Sequence, residues 1–295
     1  MTILKVDNIT KDYGLIKALN SVSFSVKQGS VFGILGPNGS GKTTLLSIIM
    51  NVLKPTSGSY QLFEENAKDE HRKKIGTLLE TPNFYHYLNA VQNLKISCAI
   101  KGIGEDDIEH VLRVVDLWKR KDSPFSAFSL GMKQRLAIGA ALLGNPEVLV
   151  FDEPLNGLDP VGISEIRNLI LDLSAKGKTI IMASHLLDEV EKVCTDVAIL
   201  KQGNLIVSGS VKDIFKQDDI VQISSQNNAD IISALQNLRG YISVQELGDF
   251  VEVTYNAGQA DLSAINKFCF DSGVVLSHLQ LKKNNLETKF LQLTN

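Results

Sequence analysis

The residue types best suited to chemistry in this sequence lie in a glycine-rich segment between residues 36 and 44. Its spacing, G-x-x-x-x-G-K-[ST], is that of a loop in which backbone N–H groups surround a phosphate and a lysine reaches the outer oxygens. Lys42 supplies the lysine, and the hydroxyl of Thr43 is suited to bind Mg²⁺. A chance glycine-rich turn is the alternative. The expected phosphate-binding residues are Gly36, Pro37, Asn38, Gly39, Ser40, Gly41, Lys42, Thr43 and Thr44.

The residues on either side of this loop predict the elements that position it. The segment 31–35 is typical of a short buried strand, and the apolar run from Thr44 to Leu53 predicts a helix. The N-terminus of such a helix adds partial positive charge where the phosphate binds. This context favours a true phosphate loop over a chance turn, and the sequence therefore predicts that the chain binds a nucleoside triphosphate.

Two consecutive acids, Asp152 and Glu153, form the second candidate site. They follow an apolar strand at 148–151, which places them at the carboxyl edge of the sheet, where the phosphate loop also opens. Asp152 is suited to a contact with Mg²⁺, directly or through water. Glu153 is suited to polarise an attacking water. Acids that merely cap the following turn are the alternative.

Three segments taken together resemble the ATP-binding subunits of ABC transporters. They are S-L-G-M-K-Q-R at 129–135, D-E-P-L-N-G-L-D-P at 152–160 and the pair Ser184-His185. These segments occur in the order found in that family, and the resemblance spans about residues 3 to 215. It implies an ATPase that uses ATP and Mg²⁺ and powers transport through separate transmembrane permease subunits.

The resemblance also implies roles for individual residues. Tyr13 corresponds to an aromatic that stacks on adenine, although from its position alone it is equally a surface or core tyrosine. Ser129 and Gly131 correspond to a signature loop that binds the γ-phosphate held by the opposite subunit, so the ATP-bound state is a homodimer. Asp159 belongs to the loop that contacts the partner's phosphate loop. His185 corresponds to a switch histidine at the γ-phosphate, and a structural histidine is the alternative.

Two departures from the usual family pattern stand out. The signature carries Leu130 and Met132 where most members have L-S-G-G-Q, which puts the loop's usual flexibility and polar contacts in doubt. Glu80 stands where most members carry a glutamine that senses Mg²⁺; it is interpreted as a metal ligand, with a plain surface acid as the competing interpretation. Both variants are similar to the subfamily that exports bacitracin-like or lantibiotic peptides in self-protection.

The expected fold class is α/β. The resemblance implies a phosphate-loop NTPase core of the ABC ATPase type over residues 1–217, with an antiparallel β subdomain and a helical subdomain at about 84–143. Residues 218–295 follow the order β-α-β-β-α-β and predict a small C-terminal α+β domain of the ferredoxin-like kind. No residue constellation in this second unit suggests chemistry.

The aromatic run F-Y-H-Y at 84–87 has two interpretations that the sequence does not separate. Exposed aromatic patches often mark partner surfaces, and this one would form a groove for a cytoplasmic helix of a membrane subunit. Ordinary packing inside the helical subdomain is the other interpretation.

Charge and composition limit the kinds of partner that we expect for this chain. The net charge of −3 argues against nucleic-acid binding, because nucleic-acid binders usually present a basic face. No apolar stretch approaches the roughly 18–20 residues of a membrane-spanning helix, so we expect a cytoplasmic protein attached peripherally to the inner face of the membrane. The three widely spaced cysteines fit reduced, buried thiols. A non-transport ABC ATPase acting on nucleic acid or ribosomes is the rival prediction.

Overall fold

The structure is a computed structural model that describes residues 1–79, 83–214, 218–235 and 240–282. The described residues form two compact units, Met1–Ile214 and 218–282. The predicted boundary between 217 and 218 adjoins residues 215–217, which lie outside the described part, and it stays a prediction. The elements of the first unit are β1 (Thr2–Tyr13), β2 (Ile16–Lys27), β3 (Val31–Leu35), α1 (Lys42–Ile49), β4 (Ser57–Leu62), β5 (Glu65–Asn66), α2 (Asp69–Arg72), β6 (Ile75–Leu78), α3 (Ala90–Lys101), α4 (Ile108–Val114), α5 (Leu130–Leu142), β7 (Val148–Asp152), α6 (Pro160–Ala175), β8 (Thr179–Ser184), α7 (Leu187–Val193), β9 (Asp196–Lys201), β10 (Asn204–Ser210) and α8 (Val211–Ile214).

A six-stranded sheet with the order β10-β9-β3-β8-β7-β6 carries the candidate site. Its strands are parallel except β10, which pairs antiparallel with β9. Every residue of β3, β7 and β8 is buried, as expected for continuous apolar strands covered on both faces. The expected α/β fold class is therefore confirmed, while the short edge strand β6 was not predicted.

An antiparallel sheet with the order β2-β1-β4-β5 lies beside the parallel one. Phe24 of β2 stacks on Phe32 of β3, with ring centroids 5.2 Å apart. One hydrophobic core joins the two sheets with the buried face of α1, which includes Leu45 and Ile48. Burial of these side chains supplies most of the driving force for docking the sheets. The predicted antiparallel subdomain is confirmed.

Helix α1 differs from the sequence prediction at both ends. It covers Lys42–Ile49, whereas the apolar pattern indicated residues 44–53. The helix begins earlier because Lys42 and Thr43 already form its first turn. It ends earlier because Asn51 adopts a left-handed conformation with φ of 62°, which an asparagine tolerates better than most residues.

The helical subdomain contains α3, α4 and α5. Helix α3 begins with a capping box in which Asn89 accepts a bond from the amide of Gln92 and the Gln92 side chain bonds the amide of Asn89. Helix α5 begins at Ser129, whose hydroxyl accepts from the amide of Met132 at 3.3 Å. These caps fix the path of the chain where it enters both helices. Both helices lie within the region at about 84–143 that was expected to be helical.

The second unit has the predicted order β-α-β-β-α-β. Its sheet runs β12-β13-β11-β14 and is antiparallel throughout, with both helices contributing to one core. No helix among residues 1–79, 83–214, 218–235 and 240–282 is long and apolar enough to cross a membrane. The elements of this unit are β11 (Asp219–Ser225), α9 (Asn228–Leu235), β12 (Tyr241–Leu247), β13 (Phe250–Tyr255), α10 (Leu262–Asp271) and β14 (Leu276–Lys282).

Candidate nucleotide-binding site

The carboxyl ends of three neighbouring parallel strands meet at the candidate site. Leu35, the last residue of β3, pairs with Ser184 of β8, and Asp152 of β7 pairs with Ala183. The phosphate loop, the acidic pair and His185 therefore leave the same edge of the sheet. A cavity of about 210 Å³ opens there, lined by Ala18, residues 38–44 and Glu153.

The phosphate loop needs glycine where its backbone turns into α1. Gly41 has φ of 104°, and a Cβ at this position would lie 2.5 Å from the carbonyl oxygen of Ala18 on β2. A side chain is therefore excluded by both conformation and space. This close approach directs the amides at the start of α1, including those of Thr43 and Thr44, toward the cavity that they line.

Lys42 is a buried cation at the base of this cavity. Its Nζ donates to the carbonyl oxygens of Gly36, at 2.8 Å, and Pro37, at 3.3 Å. The same Nζ lies 3.3 Å from Oε1 of Glu153, and the lysine side chain is only 6% exposed. The hydroxyl of Ser40 in the same loop is buried and has no hydrogen-bond partner among the described residues. A cradle with a buried cation and an unsatisfied hydroxyl donor suits an anion such as a polyphosphate.

Glu153 bridges two cationic or polar partners. Its Oε1 faces Lys42, and its Oε2 lies 2.9 Å from Nδ1 of His185. The backbone of Glu153 is left-handed, with φ of 49°, and its amide donates to the carbonyl of Ala183 at 3.0 Å. A non-glycine residue in that conformation costs about 1–3 kcal/mol and is common at active sites. The Glu153 carboxylate lines the cavity.

The predicted magnesium donors fit the metal by type. Thr43 is exposed in the first turn of α1, and Asp152 ends β7, so a hydroxyl and a carboxylate oxygen lie on adjoining elements of the site. Mg²⁺ prefers such oxygen ligands and completes its shell with water and substrate phosphates. Glu80, the third predicted metal ligand, lies outside the described residues and stays a prediction.

A second set of predicted residues gathers at the starts of α5 and α6. Ser129 caps α5, and Asp159 caps α6 through a 2.8 Å bond from the amide of Gly162 to Oδ1. A Cβ built on Gly131 would lie 3.9 Å from the Cα of Gly162, so the two helix starts are in contact. Neither cap residue lines the cavity at the phosphate loop. The site residues of one chain thus form two separate sets.

Tyr13 belongs to neither set. It ends β1 at the hairpin to β2, is half exposed, and has Nζ of Lys11 5.2 Å from its ring centroid. An exposed aromatic ring is available for stacking, and the interpretation of Tyr13 as a core tyrosine does not hold.

The aromatic run at 84–87 divides between the two interpretations of it. Phe84 and His86 pack edge-on against Phe125, with centroids 5.3 and 5.6 Å apart, but only Phe84 is partly buried and His86 is exposed. Tyr85 and Tyr87 point outward, 52% and 77% exposed, and contact each other. Phe84 therefore contributes to packing in the helical subdomain, while residues 85–87 form an external surface.

Asn93, which no sequence motif singled out, holds the loop that carries this surface. Asn93 is buried on α3; its Oδ1 accepts from the amide of Tyr85, and its amide group donates to the carbonyls of Tyr85, Leu88 and Asn89. A buried asparagine with four bonds fixes the loop that presents the tyrosine pair. An asparagine inside an apolar helix face is the only sequence signal for it.

The predicted buried cysteines are confirmed. Cys98, Cys194 and Cys269 are free and buried. Burial raises the pKa of the Cys194 thiol to about 12, which keeps it protonated and unreactive. These residues contribute packing and supply no chemistry to the site.

The chain is similar to a known protein family and to several of its members. Residues 19–156 match the sequence profile of the family described as "ABC transporter". The bacitracin transport ATP-binding protein of Enterococcus faecalis is 33% identical over 296 residues, covering 99% of this chain and 96% of the relative. The protein of the same description from Bacillus licheniformis is 36% identical, covering 99% and 97%. A lantibiotic transport ATP-binding protein of Streptococcus pyogenes is 38% identical, covering 70% of this chain and 90% of the relative.

Solved structures agree with this picture over the first unit. The ADP conformation of an ATP-binding cassette of an ABC transporter has a TM-score of 0.66 and 31% identity, covering 72% of this chain and 92% of that one. A dimeric cassette in a post-hydrolysis state, bound to ADP and phosphate, has a TM-score of 0.64 and 28% identity, covering 71% and 99%. Both the fold and a paired arrangement of cassettes are thus represented among similar proteins.

Proposed function

The chain belongs to the ABC transporter family as an ATP-binding subunit, and on that premise we propose that two copies close around two ATP molecules to power an exporter with separate membrane-spanning subunits. The observation that carries this proposal is the division of the site residues into two sets, one at the phosphate loop and one at the starts of α5 and α6. A homodimer with two-fold symmetry would bring one set from each chain onto each nucleotide. The transport names of the relatives favour this function over a non-transport ATPase.

Hydrolysis in the proposed dimer is an in-line attack of water on the γ-phosphate. The water oxygen bonds to phosphorus, the bond to the β-phosphate oxygen breaks, and Glu153 accepts the water proton. Lys42 neutralises phosphate charge, and His185, hydrogen-bonded to Glu153, steadies the carboxylate and the water. When bound with the nucleotide, Mg²⁺ would neutralise phosphate charge, and Thr43 and Asp152 would hold it.

We infer the order of events from the ion pair between Lys42 and Glu153. The Nζ of the lysine lies 3.3 Å from Oε1 of the carboxylate. Phosphate oxygens are stronger partners for a buried ammonium than a single partly exposed carboxylate, so ATP displaces Glu153 from Lys42. The carboxylate is then available to the attacking water only when the lysine is occupied by nucleotide.

Tyr13 is proposed to stack on the adenine. Replacing Tyr13 by Ala removes the ring and raises the KM for ATP about tenfold, since an aromatic–base contact contributes about 1–3 kcal/mol. Replacement by Phe keeps the ring and leaves KM within about twofold. Steady-state ATPase assays with both variants test this; equal KM values for Ala and Tyr would exclude stacking.

The membrane partner is proposed to dock on the exposed tyrosine pair. Tyr85 and Tyr87 offer two adjacent exposed rings on a loop whose backbone is held by Asn93, an aromatic surface suited to a short helix of a permease on the cytoplasmic side of the membrane. Replacing both tyrosines by Ala is expected to abolish co-purification with the membrane subunit and to leave the ATPase activity of the isolated chain unchanged. The exposed Ile100 of α3, replaced by Ala, is the control that retains the partner. Retention of the partner by the double variant would contradict this docking site.

The cargo is proposed to be an antimicrobial peptide or a similar drug, because the relatives quoted above are bacitracin and lantibiotic transport proteins. The test is the sensitivity of a susceptible host to bacitracin and to a lantibiotic when this chain is produced with its membrane subunit. We expect raised resistance to at least one of them, and loss of that resistance with Glu153→Gln. Unchanged sensitivity to both compounds, with the two subunits present and ATP being hydrolysed, would exclude this cargo class.

A further inference from the structure

The residue that departs most from the usual signature pattern makes a contact inside its own chain. Leu130 is the first residue of α5, and its Cδ2 lies 3.3 Å from the position that a Cβ on Gly157 would take. Gly157 has φ of 73° in the loop that leads to α6, so it presents bare backbone to the leucine. About half of the leucine side chain is covered, with 49% exposed.

A second contact joins the same two helix starts. The Cδ2 of Leu158 lies 4.0 Å from the position of a Cβ on Gly131, and a Cβ on Gly162 would lie 3.4 Å from Cβ of Leu158. Two glycines thus let the first turns of α5 and α6 approach closely, and a leucine from each side closes over the gap. We call Leu130, Gly157 and Leu158 the leucine clasp.

We propose that Leu130 is a positioning residue for ATP hydrolysis, which acts by holding the first turn of α5 against the loop at 156–159. This proposal rests on the proposed function, in which that turn faces the nucleotide of the second copy. The first turn carries Ser129 and Gly131, while the loop carries Asp159, so the clasp fixes the whole partner-facing set as one body.

The hydrogen bonding of Ser129 indicates which donor groups the leucine clasp keeps in position. Its hydroxyl accepts from the amide of Met132, which leaves the hydroxyl proton and the remaining first-turn amides for donation to an anion. Donors aimed at a transferring phosphoryl group must be preorganised, and a displacement of about 1 Å costs about 10²-fold in rate. A signature with glycine at position 130 has no side chain to contact Gly157, so in this chain the leucine takes over the task of orientation.

The test compares Leu130→Ala and Leu130→Met with Leu171→Ala in the full-length chain. Leu171 is the matched control, an exposed leucine (39%) on the same helix that the clasp supports, α6. We expect Leu130→Ala to lower kcat about tenfold and leave KM for ATP within about twofold, because ATP binds first to the phosphate loop of its own chain. Leu130→Met, which restores an apolar side chain of similar length, is expected to recover at least half of kcat, and Leu171→Ala to match the unchanged chain.

Each outcome decides the proposal. Equal kcat for Leu130→Ala and the unchanged chain overturns it. A fall in kcat that is accompanied by weaker nucleotide binding and a lower thermal midpoint also overturns it, since that pattern marks general unfolding. If the unchanged chain hydrolyses no ATP at any protein concentration, the proposed function fails first, which distinguishes that failure from failure of the clasp.

Discussion

Replacement of Glu153 by Gln tests the chemistry of the site in most detail. The variant keeps the size of the side chain and one hydrogen-bonding oxygen but removes the base. Loss of a general base typically lowers turnover by about 10² to 10⁴-fold. At about 1.4 kcal/mol for each factor of ten, that is a rise of about 3–5 kcal/mol in the barrier.

The same variant changes ATP binding in the opposite direction. Oε1 of Glu153 lies 3.3 Å from Nζ of Lys42, and in the proposed order of events ATP displaces it. Because the glutamate side chain is 21% exposed, the pair is partly screened, and its net contribution is about 1 kcal/mol. Removing this competitor tightens ATP binding about fivefold. We therefore expect turnover and the dissociation constant to fall together.

The assays are phosphate release at saturating ATP and equilibrium dialysis of ATP with Mg²⁺. Glu189→Gln is the matched control. Glu189 is a carboxylate in ion pairs with Arg167, at 2.6 Å, and Lys192, at 2.8 Å, but it does not line the cavity. It is expected to keep turnover within about twofold near pH 7. Unchanged turnover in Glu153→Gln, or weaker ATP binding, would refute the assigned role.

Three further changes have defined outcomes. Ser129→Arg places a bulky cation at the start of α5 and should abolish cooperative hydrolysis while ATP affinity of the single chain stays within about twofold; normal cooperative hydrolysis would contradict the shared site. Gly76→Ala puts a Cβ 2.9 Å from the carbonyl carbon of Ala141 and should lower the free energy of unfolding by about 3 kcal/mol in urea titrations, whereas an unchanged midpoint would show that the backbone yields. For Glu189, burial raises the pKa of the carboxyl, but the bonds from Lys192 and Arg167 outweigh it and hold the pKa below its ordinary value. The stabilisation of about 2 kcal/mol that Glu189→Gln removes is full above the unfolded-state pKa and disappears as pH falls through the folded-state pKa, so a difference between the two proteins that does not shrink as the pH is lowered below the unfolded-state pKa would refute this assignment.

The phosphate loop was predictable because its chemistry is local. Eight consecutive residues, 36–43, carry the spacing, and glycine at position 41 already implies a turn that no side chain tolerates. The placement of Asp152 and Glu153 beside that loop was predictable because parallel strands direct their carboxyl ends to one edge of the sheet. The position of His185 was expected only from the family resemblance.

The contacts of Glu153 with both Lys42 and His185 could not be predicted from the sequence. It depends on a left-handed φ of 49° at a residue that ordinarily avoids this region, and on the amide bond to Ala183 of a different strand. Sequence patterns give the position of the acid, while the conformation that turns it toward Lys42 and His185 comes from tertiary contacts.

The exposed surface of the first unit also depends on tertiary contacts that the sequence does not show. The run at 84–87 is uniformly aromatic in sequence, yet Phe84 is partly buried against Phe125 while residues 85–87 are exposed. The backbone of this loop is held by Asn93, which lies on a helix further along the chain. The contact of Leu130 with Gly157 is equally long-range, so the sequence showed an unusual leucine without showing its purpose.

The central claim is that one ATP is held between the phosphate loop of one chain and the start of α5 of its twin. The most direct test is the mass of the Glu153→Gln protein in solution with and without ATP and Mg²⁺, measured by light scattering. We expect the 32.3 kDa chain alone and twice that mass with ATP, with the shift abolished by adding Ser129→Arg. A protein that binds ATP tightly and stays at 32.3 kDa at every concentration, also beside its membrane subunit, would contradict the account.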